Sequence, residues 1–418
     1  MILLTWAKRS GKLLCRLFDT HKDIVMTKHQ TTYKLRLYPD KEQEAFLNSQ
    51  LGACRKLWNT LLGFCIDQYK LYEEGLLEEK PKINVKVLRN EYQRLKEGEF
   101  SWLDETLVQC HDETINDLVR TYNRFFKKIS GYPRFKSKRF GGSFRYPNKL
   151  YTKFKDSKLF IYKHKSWIKA RGYVLDDSTD ISSCRVVRTP TGKWYVCLVS
   201  TVDEIEQKKT NRYTSIDMGI KTLMMVSEVD GTRKRSPVFK AVENSKFYLK
   251  SQKKLRYLQR QLSRKKKGSK NREKVRIKVA RCHEKIANQR KDAYHKVTTE
   301  IVNNCDKVFL EDLNISGMIK NRKLSKHIAD ASWGILKQMF MYKLERRKDK
   351  TITFVDRFGP STQVCSNCGV QSKVKIELNV REWDCSECGA HHDRDENAAL
   401  NIFLMGVKRE EFYQRTAG

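Results

Sequence analysis

The stretch Y-T-S-I-D-M-G-I-K-T-L-M-M-V-S-E-V-D-G, residues 213–231, decides the fold. It reads as two apolar strands with a tight turn at Asp230–Gly231, and its first strand carries one acid, Asp217. A carboxylate within an apolar strand is costly unless it is paired or holds a metal. The same acid also reads as a strand-end residue capping a turn, helped by Gly219.

Downstream, residues 245–303 form a long basic helical stretch broken at Gly268-Ser269-Lys270-Asn271, and D-K-V-F-L-E at 306–311 is a buried-type strand ending in Glu311. A helix is expected over 333–349 and a strand over 351–356. Then H-D-R-D-E-N-A-A-L-N-I at 392–402 opens an apolar helix with Asp395 at its start. Strand, hairpin, helix, strand and helix predict an RNase H-like α/β core. Each acid has a plainer reading. Glu311 is also an exposed strand terminus beside Asp312, and Asp395 is also a helix cap or first-turn acid. Asp312 and Asp393 are close enough to be confused with the true ligands. Gathered on three elements of one sheet-like unit, Asp217, Glu311 and Asp395 suit hard oxygen ligation of two divalent ions, magnesium with manganese as the alternative, against a phosphodiester.

C-S-N-C at 365–368 and C-S-E-C at 385–388 stand 16 residues apart, each ending in C-G. Two such knuckles, Cys365, Cys368, Cys385 and Cys388, predict one structural zinc. His391 and His392 read as neighbours of the site, not ligands. The other eight cysteines are scattered singly, which suits reduced thiols in a cytosolic protein.

The 418-residue chain carries a net charge of +36, so a polyanion is the expected partner. No signal peptide or membrane span is visible, and the N-terminal start meets Lys8 and Arg9 early. Residues 31–38 read as a strand, 40 to about 130 as helices, and 158–163, 167–171 and 184–200 as strands, the last a hairpin turning at Pro190–Gly192. One strand, then helices, then several strands suggests a small barrel interrupted by a helical insertion. The basic loop at 131–146, with Tyr132, Phe135, Phe140, Phe144 and Tyr146 among its cations, is expected to stack unpaired bases. The basic helices at 252–291 are expected to cradle a nucleic-acid backbone.

S-I-D-M-G-I-K, L-E-D-L-N-I, S-T-Q-V-C-S-N-C-G and C-S-E-C-G-A-H-H-D-R-D-E-N-A-A-L-N-I resemble the TnpB family of insertion-sequence-encoded, RNA-guided nucleases, relatives of type V CRISPR effectors. Y-K-L-R-L-Y-P, L-G-A-C-R-K-L-W-N, G-Y-P-R-F-K-S-K-R, L-S-R-K-K-K-G-S-K-N, N-Q-R-K-D-A-Y-H-K and D-A-S-W-G extend the resemblance over roughly 31–403. It implies a multidomain α+β protein. A RuvC nuclease (213–356 and 393–412) would use Asp217, Glu311 and Asp395, with a zinc ribbon inserted at 357–392. A wedge β-barrel (31–39 and 131–202) would carry a helical recognition insertion (40–130), with a linker at 203–212. Residues 1–30 are an N-terminal extension in which Met26 is an alternative start, and 413–418 a tail. The implied partners are a guide RNA with its scaffold and target double-stranded DNA beside a short motif. A monomer in a prokaryotic, nucleoid-associated cytoplasmic setting is expected. The rival readings are a nuclease-dead RNA-guided regulator, a guideless RNase H-like nuclease or transposase, and a zinc-ribbon DNA-binding factor.

Overall fold

The computed structural model describes residues 28–147, 152–173, 175, 179–230, 236–356, 359–372, 376 and 380–416. The extension up to residue 27, with Met26, lies outside them, as does Gly231 of the expected turn. Two sheets organise the chain.

The first begins with β1 (Lys28–Tyr38). Asp40 then caps α1 (Lys41–Glu73): its carboxylate accepts from Gln43 N at 2.8 Å, and the Gln43 side chain accepts from Asp40 N at 3.1 Å. Such a reciprocal cap fixes where the helix starts. The first half of α1 lays Leu47, Leu51 and Cys54 on the sheet. Its second half packs Leu57, Trp58 and Leu61 against Tyr92 of α2 (Val85–Glu97) and Leu118 and Tyr122 of α3 (Val108–Phe126). The expected helical insertion is thus a three-helix layer sharing one long helix with the sheet.

The chain returns as β2 (Gly142–Tyr146), β3 (Thr152–Lys155), β4 (Lys158–Ile161), β5 (Ser166–Arg171), β6 (Ile181–Arg188) and β7 (Trp194–Asp203). Strand order is β2-β6-β7-β1-β5-β4-β3, antiparallel throughout. Inward residues such as Leu35, Tyr146, Ile161, Ala170, Val186 and Trp194 meet in one core, so the sheet curls around it. Among the described residues no β2–β3 pairing closes it into a barrel. The aromatic loop needs a correction. Phe144 and Tyr146 lie on β2 and are buried in this core, unavailable to bases. Only the 131–140 part is open, with Phe135 and Phe140 59% and 78% exposed.

The second sheet has the order β10-β9-β8-β11-β12. It comprises β8 (Arg212–Met218), β9 (Thr222–Asp230), β10 (Val238–Glu243), β11 (Lys307–Glu311) and β12 (Thr351–Val355). β8, β11 and β12 run parallel, β9 runs antiparallel to β8, and β10 antiparallel to β9. The reversal between β8 and β9 falls at Gly219–Lys221. Between β10 and β11 the chain inserts a hairpin of α4 (Phe247–Arg264) and α5 (Lys270–Asn304). Between β11 and β12 come α6 (Ile315–Met318), α7 (Ser325–Ala331) and α8 (Trp333–Glu345). One face of the sheet packs Ile216, Val308 and Leu310 on α5 and α8. The other face packs Phe309 and Val355 on Ile402 and Phe403 of α9 (Arg394–Thr416). Gly406 permits this close approach, because a Cβ there would run into the Phe309 ring. The segment read as a linker is strapped to this unit: Asp306 accepts from the backbone N–H of Thr210 (3.0 Å) and Asn211 (2.7 Å).

Candidate nuclease and metal sites

Asp217 and Glu311 arrive side by side by register. β8 and β11 pair in parallel with Ile216 opposite Leu310. The next residue on each strand is the acid, at the carboxyl end. Adjacent strands lie about 4.8 Å apart, so the two backbones present neighbouring carboxylates. Strand alternation sets the face. Ser215 donates its hydroxyl to Ala399 O of α9 at 2.7 Å, and Phe309 packs on Phe403. Asp217 and Glu311, two residues further along each strand, therefore share the face that α9 covers.

The first turn of α9 brings the third acid. Asp393, not Asp395, caps this helix, its carboxylate accepting from the N–H of Asp395 (2.8 Å) and Glu396 (3.0 Å). Asp395 is free of that duty and its charge is felt by Asp217. Burial, then repulsion from Asp395, pushes Asp217 up to about 6, with Arg394 pulling the other way. Burial, then the charge of Asp217, pushes Glu311 up to about 7. A carboxylate cluster in which Asp217 is repelled by Asp395 and Glu311 by Asp217 fits divalent cations, since a bound cation would relieve both the repulsion and the desolvation. Asp312 turns away to Lys337, 2.5 Å distant, and is half exposed.

Sequence reasoning missed two residues. Arg394 donates to Asp395 at 3.0 Å, and Arg381 from the cysteine-rich segment donates to it at 3.1 Å. The arginine inside D-R-D was the only available hint.

In the cysteine-rich segment, one ligand atom from each of Cys365, Cys368, Cys385 and Cys388 lies within 4.8 Å of the others. The Sγ pairs 365–388 and 368–385 are both 3.7 Å apart. A tetrahedron with metal–sulfur bonds of about 2.3 Å has edges of about 3.8 Å, so the cluster fits a zinc site. The Asn367 amide, 3.6 Å from Cys388 Sγ, and the Ala390 N–H draw that thiol down to about 6, favouring thiolate. His392 Nε2 lies 3.0 Å from Cys365 Sγ, while His391 is exposed and bonds Asp384 at 2.7 Å. A short hairpin of β13 (Glu382–Asp384) and β14 (His391–Asp393) leads straight into α9. Asn397 and Asn401, one turn apart on α9, donate to Val364 O at 2.8 and 2.7 Å, and Asn397 accepts from Ser366 N at 2.9 Å. The first knuckle is thereby hooked to the helix that carries Asp395.

Residues 195–322 match the OrfB_IS605 family, described as "Probable transposase". Residues 333–402 match the "Cas12f1-like, TNB domain". Residues 26–74 match a family described as a "Helix-turn-helix domain", although here they comprise β1 and the uninterrupted α1. A Streptomyces pristinaespiralis protein named "Putative RNA-guided DNA endonuclease" is 32% identical, over 92% of this chain and 91% of that one. The Escherichia coli "Putative RNA-guided DNA endonuclease InsQ" is 30% identical, over 91% of this chain and 93% of that one. The protein in "Cryo-EM structure of the Cas12f1-sgRNA-target DNA complex" shares the fold at a TM-score of 0.54 and 14% identity, covering 90% of this chain and 98% of that one. With full-length relatives at this identity, the chain belongs to the TnpB-type OrfB_IS605 family.

Proposed function

We propose that this protein is an RNA-guided DNA endonuclease whose RuvC-type sheet holds two magnesium ions, replaceable by manganese, on Asp217, Glu311 and Asp395. Cys365, Cys368, Cys385 and Cys388 hold one structural zinc in this reading. The observation that carries it is the convergence of two strand-end acids and one helix-start acid, with Asp217 and Glu311 pushed well above ordinary carboxylate values. When bound, the ions would supply an activated water and a stabilised leaving oxygen at a phosphodiester. The chain's own residues then have distinct tasks. The two strands fix the spacing of two carboxylates, and α9 sets the third. Arg394 holds the Asp395 carboxylate in place, Arg381 pairs with it until metal binds, and the hooked knuckle holds α9. The +36 charge binds phosphate backbones. A guide RNA and a DNA target as partners are supported by the names of the full-length relatives, and in this reading the DNA is double-stranded. One chain carries all three acids, so a monomer suffices for the site.

The test is purification with copurifying RNA, sequencing of that RNA, and cleavage of duplex DNA carrying the matching sequence beside a short motif. Replacing the guide should redirect the cut, and Asp217→Ala, Glu311→Ala and Asp395→Ala should each abolish cutting while sparing guide-dependent binding. An RNA-free protein that cuts a fixed sequence would favour the guideless nuclease instead.

A further inference from the structure

Far from the carboxylates, the α4–α5 hairpin meets the β6–β7 turn, and a cleft of about 770 Å³ opens between them. From Ala280 in its lining to Tyr294, where α5 reaches the nuclease sheet, is 14 residues of helix, about 21 Å. The cleft is held open by two clamps. At one end Arg276 donates to the carbonyls of Arg139 (2.9 Å) and Pro190 (3.2 Å). At the other end Glu284 accepts from Thr191 (3.1 Å) and Lys193 (2.9 Å). The clamps are eight residues apart on α5, about 12 Å, and the small Ala280 sits midway between them.

The chemistry of the walls is uneven in an informative way. Leu262, Val279, Ala280 and Pro190 make the lining largely apolar; Arg139, Lys267 and Arg272 add cations, and the two carboxylates in the lining, Glu273 and Glu284, are paired with Arg276 and Lys193. The Phe140 ring also lines it, 78% exposed, and borders a second cavity of about 350 Å³ beside α1. A third cavity of about 370 Å³ shares Arg139, Pro190 and Arg276 with the cleft and reaches Arg188, whose Nε is buried without a hydrogen-bond partner. A largely apolar cleft with an exposed aromatic and guanidinium and ammonium groups in its lining matches a nucleobase with its phosphates. A volume of this order is that of a small-ligand site.

We propose that this cleft binds one unpaired nucleotide of the RNA carried by the protein, its base against Phe140 and its phosphates on Arg139, Lys267 and Arg272. RNA is favoured over target DNA because loops and bulges of RNA offer splayed bases, whereas duplex DNA must first be unpaired. The proposal rests on the RNA-binding reading above and adds a specific pocket to it.

Ultraviolet crosslinking of the complete ribonucleoprotein, followed by mass spectrometry, should yield one RNA nucleotide attached within residues 139–140 or 262–287. Reactivity mapping of the RNA should show one unpaired nucleotide protected by the protein and released in Phe140→Ala and Ala280→Trp. Phe140 is a surface residue, so its truncation leaves the fold intact; Ala280→Trp fills the slot. Each should weaken RNA binding about 5- to 160-fold, the range expected for loss of one stacked base. Unchanged affinity in both variants, with no crosslink in these segments, overturns the proposal. A crosslink to free nucleoside monophosphate but not to RNA overturns it in favour of a small-molecule site. If the wild-type chain binds no RNA at all, the guided-nuclease reading itself fails; RNA-dependent cleavage with a silent cleft removes only this inference.

Discussion

Replacing Glu311 by Gln should stabilise the metal-free protein and inactivate it. Burial and the neighbouring Asp217 raise Glu311 from 4.5 to about 7. At 1.36 kcal/mol per pH unit, holding this group ionised costs the folded state about 3 kcal/mol. The folded value lies above the unfolded one. The stability attached to it is therefore fully present below about pH 4.5 and is lost as the pH climbs through about 7. A glutamine does not titrate. The variant should match wild type at pH 4.5 and exceed it by up to about 3 kcal/mol at pH 8.5. For a unit of this size that is about 6–12 °C in the unfolding midpoint of the nuclease domain. The assay is thermal unfolding across this pH range with zinc retained and no other divalent ion. Adding magnesium should raise the wild-type midpoint at pH 8.5 and leave the variant nearly unmoved, and DNA cleavage by the variant should be lost. Parallel pH–stability curves for the two proteins would refute the argument that Glu311 is a strained, desolvated acid in the cluster.

Three further outcomes follow from the same geometry. Asp393→Ala removes the cap of α9 and should cost about 1 kcal/mol and part of the cleavage rate, whereas Asp395→Ala should abolish cleavage; equal total loss in both would return the ligand role to Asp393. Cys365→Ser or Cys388→Ser should lose about one zinc per chain by metal analysis and destabilise the segment by several kcal/mol, with cleavage falling too; an intact protein containing no zinc would defeat the reading. Arg381→Ala removes a partially exposed cation from Asp395, so manganese binding by the RNA-free protein should tighten by about 1.5- to 5-fold in titration, and unchanged binding would show that Arg381 does not compete with metal.

Much of the nuclease sheet was legible because its strands are apolar runs with turns between them. S-I-D-M-G and V-F-L-E also place their acids at strand ends, where register alone makes them neighbours. The cysteine spacing was equally direct. What was not legible depended on contacts between distant segments. The β10 edge strand has an exposed, weakly apolar pattern, and β3 is four residues long, so neither rises above the local background. Phe144 and Tyr146 looked like part of a basic loop because Arg145 lies between them; alternation on β2 buries the aromatics and leaves that arginine to pair with Glu113. Arg381 is distant in sequence from the strand acids, and only the return of the cysteine-rich segment onto α9 brings it to Asp395.

That return also explains why the segment is inserted where it is. Asp217 and Glu311 are placed by backbone hydrogen bonding within one sheet and need no further support. Asp395 sits in the first turn of a helix, the part most prone to fraying. Three restraints act on that turn: the Asp393 cap, the β13–β14 hairpin that ends at Asp393, and the Asn397 and Asn401 hooks into the first knuckle. Two of the three belong to the four-cysteine unit. Metal held by the cysteines would thus stabilise the position of the third carboxylate without touching it. The inserted segment serves the sheet as a brace for the one acid that the sheet cannot hold by itself.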